Sequence, residues 1–155
     1  LKETINHAKC INKTGTEVTS SDHEDVCNLG SINIGNISSL SEFKDIVNLA
    51  SKFLLCGTLR ADLPTEGTYK VREKNRRLGL GLMGIHEWLL KRNYKYEVTP
   101  ELHKWLSVYK EESKRAADEH ADRLFVNHPV AYRAIAPTGS IGILASLIGL
   151  LFTVM

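Results

Sequence analysis

The sequence predicts an α/β fold, and three observations carry that reading. They are a strand-like run at residues 26–35, two long stretches of helical periodicity at 40–60 and 99–123, and a second apolar run at 131–145 broken by a Pro-Thr-Gly-Ser turn. Strand, helices and strand in that order belong to the class in which helices cover a largely parallel sheet. No internal repeat and no linker composition interrupts the chain, so residues 1–155 read as a single structural unit.

Each element has a local cause. Residues 1–25 are rich in Thr, Ser, Asp and Lys and read as irregular. In the run DVCNLGSINI, Leu29, Ile32 and Ile34 are interspersed with small or polar residues, and Gly30 and Gly35 mark places where backbones approach. Ser39 and Glu42 have capping-box spacing, and Phe43, Ile46, Val47, Ala50, Phe53 and Leu54 recur at helical intervals, predicting a helix from Leu40 to Arg60. Pro64 and Gly67 are expected to end it. A basic, helix-compatible stretch at 69–77 follows, then the glycine-interrupted apolar run 78–82 and a short helix over 84–91. Thr99 and Pro100 form a capped helix start, and Leu102, Trp105, Leu106, Tyr109, Ala116 and Ala117 keep the period to about Arg123. Residues 110–115 read as the solvated face of that helix.

Composition sets the bounds on function. With 43% hydrophobic and 25% charged residues the chain is globular, and a net charge of +2 is too small to mark a nucleic-acid or membrane surface. Three irregularly spaced cysteines make no disulfide framework, so a reducing cytoplasm is the expected location. The charge-free segment 141–155 is shorter than the roughly 20 residues that cross a bilayer and reads as a buried strand or helix of a larger core.

Candidate chemistry concentrates at two places. Cys27 enters a strand beside glycines, the setting of either a small core residue or a placed reagent. Pro137, Thr138, Gly139 and Ser140 could hold an oxyanion through close backbone amides and two hydroxyls, or could be a plain turn between buried elements. Other motifs fail on context. Gly79, Gly81 and Gly84 spell a dinucleotide fingerprint, but the preceding residues REKNRR are not a buried strand and Glu101 lies at a helix start. His86 and Glu87 begin a zinc-protease motif whose second histidine position is Leu90. The other histidines share no ligand spacing with the cysteines. Lys70, Arg72, Lys74, Arg76 and Arg77 read as a solvated helix face, and Cys56 as core.

Three segments, taken in order, resemble the catalytic chain of ribonucleotide reductases. VCNLGSINI is similar to the family's strand bearing a redox cysteine. KNRRLGLGLMGIHEWLL resembles a run typical of the adenosylcobalamin-dependent class II, and AIAPTGSIGILA resembles the turn that holds the substrate's phosphates. The likeness covers about residues 26–145. It implies a partial segment of the ten-stranded α/β barrel shared with glycyl-radical enzymes. In that chemistry a cysteine thiyl radical removes the 3′ hydrogen of a ribonucleotide, and a thiol pair supplies the electrons that replace the 2′ hydroxyl. Cys27 matches one member of the pair; Pro137, Thr138, Gly139, Ser140 and Ile141 match the phosphate turn. The implied cofactor is adenosylcobalamin, for which no ligand can be named here, with a dithiol reductant. Implied partners are the ribonucleotide, the remainder of the reductase chain and a thioredoxin-like reductant, with no membrane or direct nucleic-acid contact. A homodimer is left open.

The departures are equally specific. The family places its radical cysteine in a pattern NxCxE shortly before the redox strand, whereas Cys10, the one weak candidate, has Ala8 and Asn12 at the flanking positions. Taking Glu17 as the glutamate puts Gly15 at the cysteine position and Lys13 at the asparagine position. The redox partner of Cys27 is expected upstream of Leu1. The chain alone is therefore expected to be inactive, and a degenerate remnant that at most binds nucleotide phosphate is the rival expectation.

Overall fold

The computed structural model describes residues 22–134. Its element order is strand β1 (Cys27–Asn33), a 3-10 turn (Ile34–Asn36), helices α1 (Leu40–Arg60) and α2 (Glu66–Asn75), strand β2 (Arg77–Met83), and helices α3 (Ile85–Lys91) and α4 (Pro100–Arg123). The mixed α/β class holds. Among the described residues the sheet is small: β1 pairs with β2 in parallel, and Arg133 adds one parallel bridge to Leu80. Two strands and a bridge do not close, so the described residues form a partial sheet and not a barrel.

Local chemistry sets the helix bounds. Ser39 Oγ accepts from the Glu42 N–H at 3.2 Å, while the Glu42 carboxylate accepts from the Ser38 N–H at 3.1 Å, one residue earlier than in a standard capping box. Thr99 caps α4 through the Leu102 N–H at 3.1 Å with Pro100 in the first turn. Gly67, expected to help end α1, instead lies in the first turn of α2. Thr65 caps that helix through the Thr68 N–H, which makes 66–75 a helix of its own.

The two long helices pack on one side of the sheet. Phe43, Val47, Ala50 and Leu54 of α1 and Leu102, Trp105, Ala117 and Ala121 of α4 share a core with Ile32, Leu78, Leu80 and Trp88. Phe43 stacks on Trp105 with ring centroids 4.9 Å apart, and Trp88 meets Trp105 edge-on at 5.1 Å. Removing this much apolar surface from water is the main stabilising term.

Two stretches expected to be solvated are so only in part: Lys110, Glu111, Lys114 and Arg115, like Lys70 and Lys74, are exposed, but each stretch also turns residues inward. Within 110–115, Glu112 and Ser113 are buried. Glu112 crosses to α1 and accepts from Asn48 Nδ2 at 2.7 Å, and the Ser113 hydroxyl accepts from Arg133 at 2.8 Å. In the basic cluster, Arg72 and Arg76 are buried. Arg72 donates to the carbonyls of Thr58, Leu59 and Ala61 at 3.1–3.3 Å, satisfying acceptors that the end of α1 leaves without helical partners.

Candidate functional site

Alternation along β1 decides where Cys27 points. Asn28 and Gly30 face the helices: a Cβ on Gly57 of α1 would stand 3.4 Å from Asn28 Nδ2, and one on Gly30 would stand 3.2 Å from Leu54. Cys27, Leu29 and Ser31 therefore leave the opposite side of the sheet. On β2 the register partners of Cys27, Leu29 and Ser31 are Arg77, Gly79 and Gly81.

The two glycines shape that face. A Cβ on Gly79 would meet Leu29 at 2.2 Å, Cys27 Sγ at 3.1 Å and Ala134 Cβ at 3.3 Å. One on Gly81 would meet Ser31 Oγ at 3.2 Å and the Ala134 carbonyl at 3.3 Å. The missing side chains let Leu29 and the thiol lie over β2. Residues 131–134 run along its other edge, held by Leu78 N–H to Ala131 O at 2.8 Å and Ala134 N–H to Leu80 O at 3.0 Å. The Tyr109 hydroxyl also donates to the Leu80 carbonyl, and burial pushes its ionisation far above the usual tyrosine range. At this point α4 is tied to the strand.

A charged cluster sits at the start of β1. The Asp25 carboxylate accepts from Arg77 Nε at 2.5 Å, Asn75 Nδ2 at 2.8 Å and the Val26 N–H at 2.9 Å. Asp22 accepts from Lys74 at 2.8 Å and Asn75 at 2.9 Å, and the Lys74 bond, followed by that of Asn75, holds its carboxyl below the usual range. The sequence reading missed this cluster because it counted Arg77 among solvated bases and Asp25 as turn residue. Their partnership spans 52 residues.

Cys56, read as core, is half-buried, and its Sγ lies 3.2 Å from His120 Nε2 on α4. Burial, together with Lys52 and Arg123, holds the His120 imidazole below its ordinary value. The pair lies on α1 and α4, in the helical layer, on the side of the sheet opposite to the one Cys27 faces. No group of three or more His, Cys, Asp or Glu residues that could hold a metal ion occurs among the described residues. No helix among them is long and apolar enough to cross a membrane. Cys10 and the whole candidate phosphate turn, Pro137, Thr138, Gly139, Ser140 and Ile141, lie outside the described residues.

Residues 4–119 match the model of the ribonucleotide reductase barrel domain, three quarters of the chain. The chain belongs to the ribonucleotide reductase family. A Mycobacterium phage D29 protein that carries the name of an adenosylcobalamin-dependent ribonucleoside-triphosphate reductase is 30% identical over 145 residues. That alignment takes in 88% of this reductase chain and 20% of the phage protein, so the chain spans about one fifth of the length of its relative. The matched reductase domain contains β1, β2 and the glycine face between them.

Proposed function

We propose that this chain supplies the redox-thiol strand and the substrate-phosphate turn of a ribonucleotide reductase catalytic domain, with Cys27 as one of the two reducing thiols. The observation that carries the proposal is the position of Cys27 on the sheet face turned away from the helices, beside side-chain-free Gly79. In an α/β barrel with helices outside, that face lines the interior where substrate lies.

The chemistry is a two-electron reduction. Two thiols become a disulfide, the 2′ C–O bond of the ribonucleotide breaks, the hydroxyl leaves as water, and a new C–H bond forms at the same carbon. Cys27 is half-buried on a fixed strand, which suits a thiol that must meet substrate and then a reductant. Its partner is not Cys56, which sits in the helical layer with His120; the family resemblance puts it upstream. The turn at Pro137, Thr138, Gly139, Ser140 and Ile141 is assigned to the substrate phosphates, which backbone amides and hydroxyls would neutralise.

The phage relative's name supports adenosylcobalamin as the radical source of the complete enzyme. A dithiol protein of the thioredoxin type completes the cycle by reducing the disulfide. Located within a barrel interior, the site needs the remaining strands to exclude water, and the 155-residue chain alone is accordingly inactive.

The experiment is to oxidise the prereduced complete reductase with ribonucleotide in the absence of reductant and to map the disulfide formed. Cys27 in that disulfide supports the proposal; a substrate-dependent disulfide that leaves Cys27 as a thiol contradicts it. One observation favours a second reading, a non-catalytic remnant: Ala8 and Asn12 replace the residues expected around a radical cysteine at Cys10. Absence of any substrate-dependent disulfide in the complete chain, with nucleotide binding retained, supports that reading.

A further inference from the structure

Hydrophobic alternation fixes which side of β1 faces the helices, but it does not fix how far along β2 the strand sits. A shift of two residues preserves every face and moves the thiol by about 6.6 Å. The glycines of β2 offer no side chains that would reject such a shift on the Cys27 side.

We propose that the part-buried Asp25–Arg77 ion pair is the positioning device that pins this register and so sets the place of the Cys27 thiol in the reaction. The inference rests on the reading of Cys27 as a reducing thiol. Cys27 and Arg77 are register partners and share one face of the sheet, and Asp25, two residues ahead of Cys27 at the entry to β1, reaches the Arg77 side chain at 2.5 Å. The Asp25 side chain is 3% exposed and that of Arg77 17%. One carboxylate joins three points of the chain: Arg77 at the start of β2, Asn75 at the end of α2, and the Val26 N–H beside Cys27.

A charge this deeply buried is tolerated only when it is paired and hydrogen-bonded. A shifted register moves Arg77 away from Asp25 and costs that carboxylate its ion pair. The pair thus rejects the shifts that the glycines permit. Polar pairs that specify register in this way are the best attested use of buried charge.

The test uses the complete reductase with Arg77→Met, Arg77→Lys, the double variant D25N/R77M and Cys27→Ser. The readouts are kcat and KM with a dithiol reductant, and the rate of Cys27 alkylation by iodoacetamide. Arg77→Met and D25N/R77M are expected to lower kcat at least about tenfold while KM for the ribonucleotide stays within about twofold. Both should change the alkylation rate of Cys27, and Arg77→Lys should recover part of the loss. The double variant leaves no orphaned buried charge, so it tests the proposal if Arg77→Met fails to fold. A folded D25N/R77M enzyme with wild-type kcat and alkylation rate overturns the positioning role. If Cys27→Ser alone keeps full turnover, the reducing-thiol reading fails and the positioning role falls with it. An inactive Cys27→Ser beside a fully active double variant removes only the positioning role.

Discussion

Gly79 lies directly beside the Cys27 thiol: a Cβ added there would stand 3.1 Å from Sγ and 2.2 Å from the Leu29 side chain. The glycine is what lets a strand residue and a thiol occupy the same surface of the sheet.

Replacing Gly79 with alanine should therefore injure both activity and stability. Crowding Leu29 against the thiol is expected to cost about 1–3 kcal/mol of stability. A displacement near 1 Å at a reacting group lowers turnover by about a hundredfold. Steady-state kinetics of the complete Gly79→Ala reductase, paired with thermal unfolding, separate the two effects. Wild-type kcat would show that the space beside the thiol has no part in the reaction.

Arg72 holds the end of α1. It donates to three backbone carbonyls there and stacks on Tyr69 at 4.9 Å. Arg72→Ala leaves those acceptors without this partner and should cost about 2 kcal/mol, in the range for hydrogen bonds to a charged group. Hydrogen exchange should rise first in the last turn of α1, and Arg72→Lys should recover part of the protection. Unchanged exchange at residues 58–61 would contradict the assignment.

Glu112 gives the fold a pH dependence. Burial raises its carboxyl pKa, but hydrogen bonds from Arg115 and Asn48 outweigh burial and hold it below the ordinary value of 4.5. A carboxyl depressed in the folded state favours folding above its unfolded pKa, and that contribution is lost as pH falls through the folded value. Urea unfolding of the 155-residue chain should lose stability below about pH 4.5, and Glu112→Gln should flatten part of that acid limb. An identical acid limb in Glu112→Gln would show that the group does not contribute.

The legible parts of the fold were those whose causes are local. Ser39 with Glu42 and Thr99 with Pro100 announced the starts of α1 and α4, because a cap is made within three residues of itself. Apolar periodicity carried both helices to their observed ends at Arg60 and Arg123. Cys27 stood out because its strand is short and glycine-flanked. Groups whose partners arrive from afar were misread. Arg72 and Arg77 have the composition of a solvated surface, and only the tertiary fold brings them to the end of α1 and to Asp25. Glu112 meets Asn48, and Cys56 meets His120, each across 64 residues. Nothing in a helical period distinguishes such a residue from a neighbour that faces water.

The most direct measurement is turnover of the complete reductase carrying Cys27→Ser, assayed with ribonucleotide and a dithiol reductant. A serine cannot form the disulfide, so sustained turnover should be abolished while ribonucleotide binding is retained. Turnover at the wild-type rate would contradict the account and return Cys27 to the role of a packed strand residue.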